Sequence, residues 1–450
     1  MGLGLDILYG SAALLTAPLW GCQMWRTGKH RTDWRGRFGH APPEVSAGDP
    51  LTRTLLIHAV SVGEVNLIRG LVAMLRDQMP HLHIVVSTTT DTGTARAHQV
   101  FDPMLPRPEA ETGPGAGPGV RVVRFPFDFS WMVERFLNAV KPDVVALVEN
   151  EVWPNFTQAC VRRSIPVCIL NGRLSERSYR GYRKLGPIAR MMYGRLSAVA
   201  AQTQAIADRF VGVGVHPDRV QVLDTMKWDT AQVQPPESVD GADALAIELG
   251  LDRRRPILVA GSTGPGEEQL LINTVLPTCL QAQLVIVPRK PERFDEVAAL
   301  DPSMVRWTAR RQGTAAAATP DQPPRLFLLD TMGELRKAYA LADVVIVGRS
   351  FLGLYGSDLM EPIALSKPTI IGPFHADFAD VVNALREKDG VRVCAADHLA
   401  GQVASLLSDR AKAGTLAQRG RAVILSRQGA TQRHVDFLRR LLPTPAPTAS

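Results

Sequence analysis

From Thr54 onward the chain alternates continuous apolar runs with stretches whose apolar positions recur every three to four residues. TLLIHAV (54–60), HIVVSTT (83–89), RVVRFPF (121–127), DVVALVE (143–149) and PVCILN (166–171) read as strands. VNLIRGLVAMLRDQ (65–78), SWMVERFLNAV (130–140) and PNFTQACVRR (154–163) read as helices. Strands apolar throughout, interleaved with helices, predict a parallel sheet covered on both faces. A second alternation starts near residue 255: PILVAGS, EEQLLINTVLPTCL, LVIVPR, a helix from Glu292, RLFLLD, GELRKAYALA, DVVIVGR and PTIIGP. Between them, residues 230–254 carry Pro235, Pro236 and Gly241 and read as a linker. The expected fold class is α/β, with two doubly wound Rossmann-like domains facing each other across a cleft. The expected divisions are an apolar segment with a basic flank at 1–40, domains at 41–230 and 231–430, and a helix end with a disordered tail at 431–450. RPEAETGPGAGPG (107–119) and RRQGTAAAATPDQPP (310–324) read as surface loops.

The N-terminus changes that picture. Leu3 to Trp25 is apolar except for Asp6, contains Pro18, and is followed by Arg26, Lys29, Arg31, Arg35 and Arg37. The run is long enough to cross a bilayer. Positive charge on its C-terminal flank predicts that this flank stays in the cytoplasm, and a cleavable signal would carry its basic residues first. Tyr9, Trp20 and Trp25 suit a lipid–water boundary; the plainer alternative is a buried or interfacial helix. A net charge of +7 favours anionic partners without choosing among them. The positive charge is spread out with no aromatic–basic stacking pattern, which argues against nucleic acid. Five scattered cysteines, none in a CxxC pair, point to a reducing compartment without a disulfide framework or zinc site.

Ligands of such sheets bind at the carboxyl ends of the strands, and the unusual motifs fall there. HAVSVGEVN (58–66) puts Glu64 at a helix start, where the helix dipole eases its ionisation. That suits a general base, or a plain helix-start acid. STTTDTGTARA (87–97) offers amides for an anion, or simple capping by Thr90 or Asp91. VENEVWPN (148–155) opens an apolar strand onto Glu149 and Glu151. Paired acids there can stabilise an oxocarbenium-like transition state, orient an acceptor or bind a metal, unless the loop is merely solvated. NGRLSERSYRGY (171–182) supplies Arg173, Arg177 and Arg180 for phosphates or for a solvated basic face, and DTMKWD (224–229) places Lys227 before the linker. In the second half AGSTGPGEE (260–268), containing Ser262, is a glycine-bearing turn of generic anion-binding type. VPRKPERF (287–294) brings Arg289 and Lys290. LDTMGELRKAYALAD (329–343) brings Gly333 and Glu334, and GRSFLGLYGSDLMEP (348–362) ends in Glu361. The chain has no Asp-x-Asp, the metal-holding motif of many sugar-diphosphate transferases, which suits a donor with one phosphate balanced by arginine and lysine.

As a set, HAVSVGE, TTTDTG, ENEVWPN, NGRLSERS, the MK-aromatic-D segment, GSTGPGEE, PRKPERF, DTMGEL and the MEP turn resemble the 3-deoxy-D-manno-octulosonic acid (Kdo) transferases in order and spacing. The resemblance covers about residues 5–430. It implies the GT-B type of fold with an N-terminal membrane-associating helix. It implies a CMP-Kdo donor handled by the C-terminal domain and a tetra-acylated lipid A precursor as acceptor on the N-terminal one, with no cofactor and no metal. It implies Glu64 as general base, assisted by Glu149 or Glu151 and by Lys227. Pro288, Arg289, Met332, Gly333, Glu334 and Glu361 would hold CMP, with Ser262 and Asp358 completing the nucleotide-binding set. It implies work at the cytoplasmic face of the inner membrane in lipopolysaccharide synthesis. The chain departs from the family pattern at Tyr355-Gly356-Ser357-Asp358, where Gly-Gly-His-Asn is usual. It also departs at Arg349 for a glycine, Lys290 for a histidine, and Asp224-Thr225 for Gly followed by Asn or Ser. The competing readings are a transferase or epimerase using a UDP-sugar, and a non-catalytic nucleotide-binding membrane scaffold.

Overall fold

The computed structural model describes residues 2–26, 32–42, 45–46, 52–104, 119–314 and 323–443, without the side chains of 2, 3, 18–23 and 25. Outside the description lie residues 107–118 of the first expected loop, 315–322 of the second and 444–450 of the tail. Lys29, Arg31 and the side chains of Pro18, Trp20, Cys22 and Trp25 lie outside it too. The chain divides into two compact units, Met1–Thr230 with Gly429–Ser450, and Ala231–Gln428.

The first unit is built on a seven-stranded parallel sheet. Its strands are β1 (Thr54–His58), β2 (His83–Thr88), β3 (Val120–Arg124), β4 (Val144–Val148), β5 (Val167–Gly172), β6 (Ala198–Ala201) and β7 (Val220–Val222), in the order β3-β2-β1-β4-β5-β6-β7. The period-two geometry of a strand sends successive side chains to opposite faces. Leu56, Val85, Val145 and Ile169 therefore enter one core, and Leu55, Ile57, Ile84, Val86, Val144 and Val148 the other. Both layers are needed because each strand is apolar on both faces.

The second unit repeats the plan with β8 (Ile257–Thr263), β9 (Gln283–Pro288), β10 (Val305–Arg306), β11 (Leu326–Leu328), β12 (Val344–Val347), β13 (Thr369–Ile371) and β14 (Arg392–Val393). Their order is β10-β11-β9-β8-β12-β13-β14. In each sheet the first strand lies between its successor and a strand that returns on the other side: β1 between β2 and β4, β8 between β9 and β12. The same device marks both junctions. Asp143, before β4, accepts from Thr54 N at 2.8 Å, and Asp343, before β12, accepts from Ile257 N at 2.8 Å. Four strands were not legible in the pattern. β6 is AVAA, β7 lies partly exposed at a sheet edge, and β10 and β14 are two residues long.

The N-terminal run forms one helix, Gly2–Arg26, but among the described residues no helix is long and apolar enough to cross a membrane. Asp6, its single charge, has a structural task. It accepts from Ser130 N at 2.9 Å and Asn155 Nδ2 at 3.1 Å, and also binds the Ser130 hydroxyl. It thereby caps helix Ser130–Val140, whose own N-cap, Phe129, has no side-chain acceptor. Tyr9 packs edge-on against Phe129 and donates to Asp128 at 3.3 Å. Ile7, Leu8, Leu14 and Leu15 stay exposed.

The last helix, Ala430–Leu441, belongs to the first unit. Asp229 accepts from Gly429 N at 2.6 Å, and Val435, Phe437 and Leu438 enter one face of the first core.

Candidate active site

In the first unit the strand order reverses direction between the paired strands β1 and β4, the place where a doubly wound sheet binds ligands. Helix Val62–Gln78 starts directly after β1, and its N-cap residue, Ser61, makes no side-chain cap. Glu64 reaches back instead: its carboxylate accepts from Val60 N at 2.7 Å and from the Ser61 hydroxyl at 3.2 Å. Glu149 follows β4 with φ at +61°, held there because its N–H donates to Leu170 O and its carbonyl accepts from Arg173 N. Glu151 accepts from the Trp153 indole at 3.1 Å.

The three acids feel one another. Burial first, and then the charges of Glu149 and Glu151, push the Glu64 carboxyl up to about 7, against the two hydrogen bonds that favour its ionised form. Burial first and then Glu149 raise Glu151 as well, with the Trp153 indole opposing. The helix-start position alone predicted easy ionisation; burial and like charge outweigh it. A carboxylate tuned to neutrality is what a general base needs.

Lys227 lies half-buried in the short turn Met226–Thr230, which packs against helix Val62–Gln78. That turn is tied to the end of β5, because Met226 N donates to Asn171 Oδ1 at 3.0 Å. Arg173 and Arg177 make no side-chain hydrogen bond or ion pair among the described residues, whereas Arg180 is paired with Glu176 at 2.9 Å. The TTTDTG turn follows the capping alternative. Thr90 accepts from Gly93 N, and Asp91 pairs with buried Arg124 at 3.0 Å.

In the second unit the expected nucleotide residues gather at the carboxyl ends of β8, β9, β11 and β12. Ser262 has φ at +56° and its carbonyl accepts from the Ser357 hydroxyl at 3.4 Å. Pro288 is buried, and Arg289 is exposed with its N–H donating to Thr263 O at 3.1 Å. Met332 is exposed beside Gly333, whose φ of +95° only glycine holds without strain. Glu334 pairs with Lys337 at 2.7 Å. Exposed Asp358 accepts from Met360 N at 2.8 Å. Glu361 is raised by burial and by Asp358, with Arg336 3.7 Å away opposing.

At the glycine turn after β8, Glu267, almost fully buried, takes one of the turn's amides, accepting from Gly264 N at 2.9 Å, and ties the turn to the loop after β12 by accepting from the amides of Arg349, Ser350 and Phe351 at 2.5–2.9 Å. In PRKPERF, Arg293 is likewise structural, gripping buried Glu268 at 2.6 and 3.1 Å. Glu267, Asp128 and Asp6 escaped sequence reasoning because their partners lie on other elements.

Strain marks the same places. Nine non-glycine residues among those described have positive φ. Lys141, Ser164, Ser366 and Asp389 follow helices, whereas Glu149, Asn171, Asp224, Ser262 and Arg349 stand at strand ends. Such backbone costs about 1–3 kcal/mol per residue and concentrates at functional sites.

The 3-deoxy-D-manno-octulosonic-acid transferase (kdotransferase) family model matches residues 32–230. The chain is 31% identical over 402 residues to the 3-deoxy-D-manno-octulosonic acid transferase of Haemophilus influenzae, covering 88% of this chain and 89% of that one. The chain belongs to this family. The Bordetella pertussis transferase of the same name is 30% identical over 97% of this chain and 99% of its own. Among solved structures, Anabaena HepE in complex with UDP matches 86% of this chain with a TM-score of 0.56 at 15% identity, covering all of that chain. Acinetobacter baumannii MurG matches 86% with a TM-score of 0.51 at 13% identity, covering 99% of that chain. These likenesses show the GT-B glycosyltransferase fold that the resemblance implied, built on the two doubly wound domains that the alternating pattern predicted.

Proposed function

We propose that the chain transfers Kdo from CMP-Kdo to a lipid A precursor, with inversion and without a metal, during lipopolysaccharide synthesis. The observation that carries the reading is Glu64, raised to about 7 beside Glu149 and Glu151 at the point where the strand order of the first sheet reverses. Glu64 takes the proton of an acceptor sugar hydroxyl. That oxygen forms its bond to the anomeric carbon as the bond from this carbon to the phosphate oxygen breaks, and CMP leaves with the electron pair. Attack from the face opposite CMP inverts the centre. Positive charge developing on the sugar is met by Glu149 or Glu151, and negative charge on CMP by Arg289 and Lys227. Asp358 and Glu361 are carboxylates suited to accept from ribose hydroxyls, and Ser262, Pro288, Met332, Gly333 and Glu334 line the strand ends beside them.

Membrane association belongs to the same reading. Exposed Ile7, Leu8, Leu14 and Leu15, with exposed Arg26 and Arg35 nearby in sequence, support a first helix lying on the cytoplasmic face of the inner membrane rather than crossing it.

The test is incubation with CMP-Kdo and lipid A precursor, read by mass spectrometry. The expected product is heavier by Kdo, and Glu64→Ala abolishes it while CMP still binds. Turnover of a UDP-sugar with no response to CMP-Kdo, or CMP binding without any transfer, overturns the proposal.

A further inference from the structure

Arg349 follows β12, the strand that pairs with β8 on one side, and Arg289 follows β9, which pairs with it on the other. The turn at residues 262–266, after β8, therefore has an arginine on each flank. Neither guanidinium makes a hydrogen bond or ion pair among the described residues. Of the other arginines of this unit, Arg293 pairs with Glu268, Arg306 with Asp330 and Arg336 with Glu361, while Arg386 and Arg410 are as free of partners among the described residues as these two; what sets Arg289 and Arg349 apart is their place at the strand ends.

The Arg349 backbone is not free to relax. Its N–H donates to Glu267 and its carbonyl accepts from Gly356 N at 2.8 Å, which holds φ at +57°. Its side chain is half-buried and runs over the turn; a Cβ on Gly264 would lie 3.1 Å from Arg349 Cγ. Both Glu267 oxygens are taken up by amides, and neither makes a hydrogen bond to this guanidinium. Beneath the turn, the buried hydroxyls of Thr263 and Tyr339 lack any hydrogen-bond partner among the described residues. The Tyr339 hydroxyl lies against Gly261, and a Cβ there would stand 2.1 Å from it. Two guanidiniums without a hydrogen-bonded partner among the described residues, at the switch point of a doubly wound sheet and above unsatisfied hydroxyls, are arranged for an oxyanion that is not part of the chain.

We propose that Arg349 is a second phosphate-binding arginine, bracketing with Arg289 the phosphate of the nucleotide. The assignment deepens the donor reading above and rests on it. Guanidinium pairs with phosphate through two parallel hydrogen bonds, so Arg349 contributes direction as well as charge.

The test is calorimetric titration of the full chain with CMP and with cytidine, for wild type, Arg349→Gly and Arg349→Lys. Glycine adopts the left-handed backbone without strain, so the glycine variant is expected to melt no lower than wild type. Loss of a charge-assisted pair weakens CMP binding roughly tenfold or more while cytidine binding stays unchanged. Lysine gives an intermediate loss. CMP affinity within about twofold of wild type, or equal losses for CMP and cytidine, overturns the assignment. If wild type prefers UMP to CMP, the donor reading falls, and the same comparison made with UMP and uridine still decides the role of Arg349.

Discussion

A carboxyl group with a pKa near 7 is half ionised at neutral pH, which balances base strength against availability. Glu64 reaches that value because burial and two neighbouring acids outweigh its hydrogen bonds. In the ionised base the rate should therefore rise with pH, and the ascending limb of kcat/KM is expected near pH 7. Removing a neighbouring negative charge makes ionisation easier, so Glu149→Gln moves that limb to lower pH. Profiles of wild type and variant test this; a limb that stays put in the variant separates Glu64 from the titration. That Glu64 stands at a helix start was visible in VGEVN. The direction of its shift was not, because Glu149 and Glu151 come from β4, distant in the chain and adjacent only in the sheet.

Secondary-structure elements here are completed by side chains from other elements. Glu267 starts its own short helix, yet it shapes the loop after β12 by collecting three of that loop's amides. Glu267→Ala leaves four amide donors, three of them buried, without an acceptor and is expected to cost roughly 3–5 kcal/mol, read as a lowered denaturation midpoint. An unchanged midpoint would mean the loop holds its shape by other contacts. Asp128 does similar work, accepting from Asn155 N at 3.0 Å and Phe156 N at 2.8 Å at the start of helix Pro154–Arg162. Burial raises its carboxyl to about 6 despite those bonds. The folded state thus holds this proton more tightly than the unfolded chain. The stability it contributes is full below about 3.8 and is lost as pH rises through about 6. Hydrophobic periodicity locates helices and strands, but such caps are invisible to it, since nothing local announces which distant acid will arrive.

At the scale of the whole molecule, the chain leaves its first unit at Ala231 and comes back at Gly429. Deleting residues 429–450 removes Val435, Phe437 and Leu438 from the first core and uncovers helix Val62–Gln78. The truncated chain is expected to lose the cooperative unfolding of that unit first, with the second unit retaining CMP binding; calorimetry with and without CMP checks this. At the other end, the exposed leucines of the first helix predict a membrane phenotype. Leu14→Asp with Leu15→Asp should reduce flotation with anionic vesicles severalfold while leaving the melting temperature unchanged, since neither side chain is buried. Undiminished flotation would assign the attachment elsewhere.

By itself the sequence determined the architecture: uninterrupted apolar strands can be buried only in a sheet covered on both faces, and their alternation with helices dictates parallel order. It also marked the strand ends at Glu64, Glu149, Arg289 and Glu361, where polar groups interrupt apolar runs. Tertiary structure alone decided the rest. It turned Asp6 from an isolated charge in an apolar helix into a cap, tied the glycine turn after β8 to the loop after β12 through Glu267, and left the Arg349 guanidinium beside them without a hydrogen-bonded partner among the described residues. Each of those outcomes depends on which groups meet across elements, and burial and charge pairing act on distances that the linear order does not contain.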